Sequence, residues 1–388
     1  MKTDFEAIVI GLGGIGAAAA YWLARRLEGE VLGLEQFEIG HARGASQDHS
    51  RIIRLSYHTP AYVRLALEAY AAWDEVEAEA GESLIIRTGG LDLAPRNSVV
   101  PLMPYVDSLR SCGVPFELLE AAEVMHRWPS FRLPDDVQGL YQASGGIAAA
   151  ARCNAAHLRL AQRRGAVLRD HAPVTSIRPR RDEMEVVTGE EVYRCRRLVI
   201  AADAWSNSLL AQLGLKLPLT VTQEQVTYFA TPHLEDFQPH RFPVWIWVDE
   251  PCFYGFPVYG EAGTKAAQDV GGHEVSAETR TFTPNPASLE RLRAFLAKYL
   301  PTALGPVITT RTCLYTLTPD RDFVLDSLPG YSNVFMALGA GHGFKFSSLF
   351  GKILGELALD GQTTSDIRAF RFDRPVLRMS DPPRHFMV

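Results

Sequence analysis

Four basic residues, one cysteine and one aspartate stand where chemistry can be done. "SRIIR" sets Arg51 and Arg54 three positions apart, "GTKAAQD" sets Lys265 four positions before Asp269, and "GHGFKFSS" sets Lys345 behind two glycines. Such cations need an anionic occupant. A planar guanidinium grips a carboxylate at two points, whereas an ammonium acts as a point charge. On a helix Arg51 and Arg54 share a face, and on a strand they do not; the bland alternative is two solvated surface charges. Lys265 and Asp269 share a face on helix and strand alike. The bland reading of the two is an i,i+4 surface ion pair worth ~0.5 kcal/mol or less. Cys313 lies in "RTCLYTLTPDRD" with no partner thiol, no metal-ligand spacing and no nucleophile elbow. A free cysteine is most often a small buried core residue, but its thiolate is a soft nucleophile.

These residues must be carried by larger elements, and the N-terminus supplies the clearest one. "FEAIVIGLGGIGAAAAYWLARRLEGEVLGLEQ" reads as a strand over Ala7 to Ile10, an alanine-rich helix from Ile15 to about Leu27, and a strand over Val31 to Leu34 that ends at Glu35. Gly11, Gly13 and Gly16 form G-x-G-x-x-G at the first junction. The first glycine permits the tight turn, the second lets the backbone approach a pyrophosphate, and the third lets helix and strand pack closely. The helix N-terminus adds free N–H groups and the positive end of a dipole. Glu35, 24 positions after Gly11, is placed to accept bonds from ribose hydroxyls. The set indicates a dinucleotide. An acidic strand end disfavours NADP and does not separate NAD from FAD.

Two later blocks look like parts of the same α/β unit: "RRLVIAADAWSNSLL", and "NVFMALGAGHGFKFSSLFGKILGELALDG" with its strand, glycine turn and helix stopped at Gly361. In the latter, the helix is expected to start near Phe344. The intervening stretches 87–144 and 217–313 are rich in aromatics, prolines and alternating apolar residues, the texture of antiparallel strands in a second domain. Trp245 and Trp247 alternate there and point to one face, as pocket walls or as core. The tail "RMSDPPRHFMV" reads as loosely held.

Composition narrows the class. The chain has 388 residues, 47% apolar and 22% charged, with a net charge of −6, the balance of a globular enzyme. No basic stretch suits a nucleic acid, and no apolar run reaches ~18 residues to span a membrane. Five widely spaced cysteines without a CxxC argue against a disulfide framework or a zinc site. The N-terminal stretch lacks signal-peptide features, so a reducing cytoplasm is expected.

Nearly end to end, the chain resembles the monomeric sarcosine oxidase and N-methyltryptophan oxidase family of flavoprotein amine oxidases. The opening βαβ unit, "SRIIRLSY", "RWPSFRLPDDVQGLYQASGG", "YGFP", "CLYTLTPDRDFVLD" and "GHGFKFSS" carry the likeness. The resemblance implies FAD, held by Gly11, Gly13, Gly16, Glu35, Ser50, Arg51, Gly343, Phe344 and Lys345, and attached covalently through a thioether from Cys313 to the flavin 8α-carbon. It implies that Arg54 and Lys345 hold the substrate carboxylate, that Arg51 lies against the flavin, that Lys265 assists oxygen, and that Tyr254 belongs to the substrate pocket. At Asp269 the sarcosine-type enzymes have histidine; here the chain resembles the imino acid oxidase of nikkomycin biosynthesis. "GASQDHSR" departs from the family pattern at Gln47 and Asp48, with His49 displaced and given no catalytic role.

The expected architecture is α/β plus α+β. A Rossmann-like FAD-binding domain (1–86, 145–216 and 314–362) is interleaved with an antiparallel-sheet substrate domain (87–144, 217–313 and 363–388). The expected activity is oxidation of a secondary amino or imino acid by O2, yielding imine and H2O2. The rivals are a flavin dehydrogenase with another electron acceptor and a non-catalytic flavin protein. Asp269 and the two tryptophans favour a cyclic or bulky N-substituted substrate over sarcosine. No metal is expected.

Overall fold

The computed structural model describes residues 2–383, so the last five residues of the expected tail lie outside the described residues. Strand β1 (Asp4–Ile10), helix α1 (Gly14–Leu27) and strand β2 (Val31–Leu34) form the opening unit. β1 pairs in parallel with β2 and with Glu191–Ile200, which pairs in parallel with Tyr331–Leu338. Val167–Arg169 extends the parallel run beyond β2. These strands sit inside an eight-stranded sheet. Their near-continuous apolar runs reflect burial on both faces.

α1 is buried along its length, and its alanines explain how. Helix Ser347–Asp360 crosses it so closely that a Cβ on Gly351 would lie 2.5 Å from the Ala18 carbonyl carbon. Small side chains on both helices permit that approach, and a larger one would force them apart.

A nine-stranded sheet takes its strands from two stretches of chain, 90–142 and 220–317. Most of its pairs are antiparallel; Val244–Trp247 and Gly90–Pro95 run parallel. Lys265 lies on Thr264–Gln268 and Cys313 on Val307–Leu317, both paired with Thr220–Phe229. The three-residue strand β3 (Arg51–Ile53) joins a small third sheet through Gly146–Ala148. After helix Ser347–Asp360 the chain returns Phe372 and Leu377 to the core around β1.

Trp245 and Trp247 fill a core. Trp245 stacks on Phe295 and Trp247 on Tyr299, and both are buried. They therefore give no support to a ring-bearing substrate.

Candidate active site

One cavity of about 580 Å³ runs from the glycine turn to Lys345. Of the residues singled out in the sequence, Gly11, Gly13, Glu35, Ser50, Arg51, Arg54, Tyr254, Lys265, Asp269, Cys313, Gly343, Phe344 and Lys345 all line it. Gly16 does not, because its task is packing: a Cβ there would sit 1.7 Å from the Gly11 carbonyl oxygen.

The glycine end is built from backbone. Gly11 adopts φ +88°, and a Cβ on it would fall 2.6 Å from the Ala201 carbonyl oxygen. A left-handed φ beside another main chain leaves room only for glycine. Glu35 closes this end, accepting from the Leu12 amide at 2.9 Å and the Phe37 amide at 3.2 Å, with His41 Nε2 3.3 Å away. Burial pushes its pKa up, but His41 and the Leu12 amide outweigh burial and hold it below the usual carboxylate value. Farther along the cavity Asn154 Oδ1 and His342 Nδ1 are buried with no hydrogen-bond partner among the described residues. Buried polar atoms of this kind call for a polar occupant.

The opposite end is built from charged side chains. Arg51 donates to the carbonyls of Ser50, Ala45 and Gln47 at 2.7–2.8 Å and lies over the Phe344 ring. Arg54, at the end of β3, pairs with buried Asp92 at 3.3 Å. Extended backbone alone would send the two arginines to opposite faces; Arg54 lies one residue beyond the strand, and both reach the cavity. Lys345 donates to the His342 carbonyl at 3.0 Å. Burial, then the nearby Arg54, pulls its pKa down to about 7. Burial likewise draws Lys265 down to about 8, against the opposing pull of Asp48. The Cys313 thiol is pushed up to about 11 by burial, with Arg51 the leading group favouring its thiolate.

Lys265 and Asp269 do not pair with each other. Lys265 Nζ meets Asp48 at 2.6 Å, and Asp269 meets Arg321 at 2.8 Å. Thus the three buried cations, Arg54, Lys265 and Arg321, each meet a carboxylate. Arg51 and Lys345 make no ion pair among the described residues. Sequence reading missed Asp48, Asp92, Arg321 and Tyr315, which lies against Tyr254. Three of these stood in plain view, Asp48 inside the "GASQDHSR" departure and Tyr315 and Arg321 inside "RTCLYTLTPDRD". The helix expected near Phe344 begins at Ser347; Gly343–Phe346 form a single 3₁₀ turn before it.

Residues 6–357 match the family model described as FAD dependent oxidoreductase. The chain is 36% identical to the monomeric sarcosine oxidase of Streptomyces avermitilis, covering 95% of this chain and 97% of that protein. It is 30% identical to the N-methyl-L-tryptophan oxidase of Salmonella arizonae, over 95% and 99% of the two chains. The open form of NikD, an unusual amino acid oxidase essential for nikkomycin biosynthesis, superposes with a TM-score of 0.84 at 28% identity, covering 95% of this chain and 98% of that one. A cavity joining a dinucleotide turn to a cluster of buried cations, and a family match over most of the length, lead to one conclusion: the chain belongs to the FAD-dependent oxidoreductase family.

Proposed function

We propose that this protein oxidises the C–N bond of a secondary amino or imino acid, N-methyl or cyclic, with O2 as the electron acceptor, releasing imine and H2O2. The observation that carries the reading is a single cavity containing both the glycine turn and the cations Arg51, Arg54, Lys265 and Lys345. The residues fit FAD: a side-chain-free turn at a helix N-terminus suits a pyrophosphate, Glu35 retains acceptor capacity for a ribose, and the unpartnered polar atoms await hydroxyls or a ring edge. Bound FAD would supply the two-electron acceptor that the chain itself lacks.

The chain's own groups divide the remaining work. Arg54 and Lys345 hold the substrate carboxylate. Arg54 is preset by Asp92, whereas Lys345 makes no ion pair among the described residues and gains a carboxylate when substrate binds. The excess of positive charge favours the neutral form of the substrate nitrogen, which must have a free lone pair to be oxidised. Lys265 provides the cation that serves oxygen. Arg51, which makes no ion pair among the described residues, would offset negative charge on bound FAD. Tyr254, half-buried beside Tyr315, shapes the substrate pocket. Asp269 is committed to Arg321, so it sets the charge of the pocket wall. Cys313 is the proposed covalent tether, with Arg51 and Lys265 favouring its thiolate. None of the five cysteines is in a disulfide, in keeping with a reducing compartment, which we take to be the cytoplasm. No described helix is long and apolar enough to cross a membrane.

The test is a panel of sarcosine, N-methyltryptophan, pipecolate, proline and cyclic imines. Each is mixed anaerobically with the holoenzyme, and H2O2 is then assayed in air. At least one secondary amino acid should bleach the flavin and yield peroxide. Bleaching without peroxide would make the protein a dehydrogenase; no bleaching by any member would remove the assignment.

A further inference from the structure

Asp48 has no part in the chemistry assigned so far, yet its setting is the most constrained in the cavity. It is not a glycine, but its backbone sits at φ +90°, a strained conformation that persists only where surrounding contacts enforce it. Those contacts are plain. Its side chain is only 2% exposed. Oδ2 lies 2.6 Å from Lys265 Nζ. Oδ1 accepts from Arg311 Nη1 at 2.6 Å and from Tyr228 Oη at 2.8 Å. Lys265 gives further donors to Ser50, at the carbonyl (2.9 Å) and at Oγ (3.1 Å).

We propose that Asp48 is the positioning residue of Lys265, fixing its ammonium against Ser50 and keeping it charged at neutral pH. The proposal rests on the role given to Lys265 above. The groups facing Lys265 are Asp48, Arg51 from β3, Cys313 from Val307–Leu317, and the rings of Tyr228 and Phe256, 5.6 and 4.5 Å from Nζ. Of the charged neighbours, Arg51 opposes a second positive charge. Asp48 is the neighbouring group that most favours one. Arg311 does not take Asp48 away from Lys265, because its other nitrogen pairs with Glu261 at 2.6 Å, and Glu261 also meets His49. Without Asp48, a buried lysine beside an arginine sheds its proton.

The experiment compares holoenzyme carrying Asp48→Asn, Lys265→Met or both, by two readouts. In thermal unfolding at pH 7, each single change should lower the melting temperature by on the order of 5 °C, since it strands one half of a buried pair. The double change should cost no more than the larger single one. In the second readout, dithionite-reduced enzyme is mixed with oxygenated buffer and the return of flavin absorbance is followed from pH 6 to 9. Asp48→Asn should reoxidise roughly fivefold slower than wild type at pH 8, as for a one-unit fall in the Lys265 pKa, and should recover at pH 6. Should the Asn variant fail to fold, Asp48→Gly removes the carboxylate and relieves the positive φ. Additive melting shifts with an unchanged pH profile would overturn the proposal. If Lys265→Met reoxidises normally, the oxygen role of Lys265 fails instead, and the melting cycle still decides whether the pair exists.

Discussion

The two ends of the cavity are made of different materials. At the glycine end the groups are main chain: Gly11 at positive φ, Gly16 pressed against Gly11, and the start of α1. At the other end they are charged side chains from β3, from Thr264–Gln268, from Val307–Leu317 and from the turn at Gly343–Phe346. The glycine end takes its turn from one short stretch, with Glu35 and the Ala201 carbonyl closing around it. The cation end is assembled over long separations, and its three buried cations, Arg54, Lys265 and Arg321, each meet a carboxylate, because an unpaired buried charge is expensive. One end should thus fail by steric collision, and the other by unbalanced charge.

The largest expected effect is at the glycine end. Gly16→Ala places a methyl 1.7 Å from a carbonyl oxygen that belongs to the turn itself. Its cost should exceed the ~1–3 kcal/mol of ordinary overpacking, seen as a lower denaturant midpoint and loss of bound flavin. A stable, fully yellow variant would contradict the packing role. Next is Arg321→Met, which strands Asp269 and should cost about 3 kcal/mol. Most of that loss should return in Arg321→Met/Asp269→Asn, with flavin content unchanged throughout. If the double variant is as unstable as the single, Arg321 is held by more than its charge. The smallest effect is kinetic. Lys345→Met removes one charged hydrogen bond to the substrate and should raise KM about tenfold at pH 6. In the wild type, KM should climb as pH passes about 7, because Lys345 loses its proton there; in the variant that rise should vanish. A wild-type KM that is flat from pH 6 to 9 would separate Lys345 from the carboxylate.

The same contrast decides what could be read from the chain beforehand. The opening strand, helix and strand were legible because glycine spacing and apolar period act within some thirty residues. Lys265, Lys345, Arg51 and Arg54 were legible as residue types in unusual settings, and Cys313 through the motif around it. Their partners were not. Nothing local to Asp48 names Lys265, which is distant in sequence; only the packing of the loop before β3 against Thr264–Gln268 brings them together. Asp269 was read beside Lys265 because spacing allows it, but Arg321, buried and 2.8 Å away, wins the pairing. The tryptophan alternation was real, yet period alone does not say whether the shared face meets a ligand or Phe295.

One measurement bears most directly on the claim that a flavin spans the cavity from the glycine turn to Cys313. The purified protein is precipitated with acid and the yellow colour is followed. The expected result is colour in the pellet for wild type and colour released as free FAD for Cys313→Ala. If the wild-type colour washes out, Cys313 is an ordinary buried thiol and the cation end of the cavity must be explained without a tether.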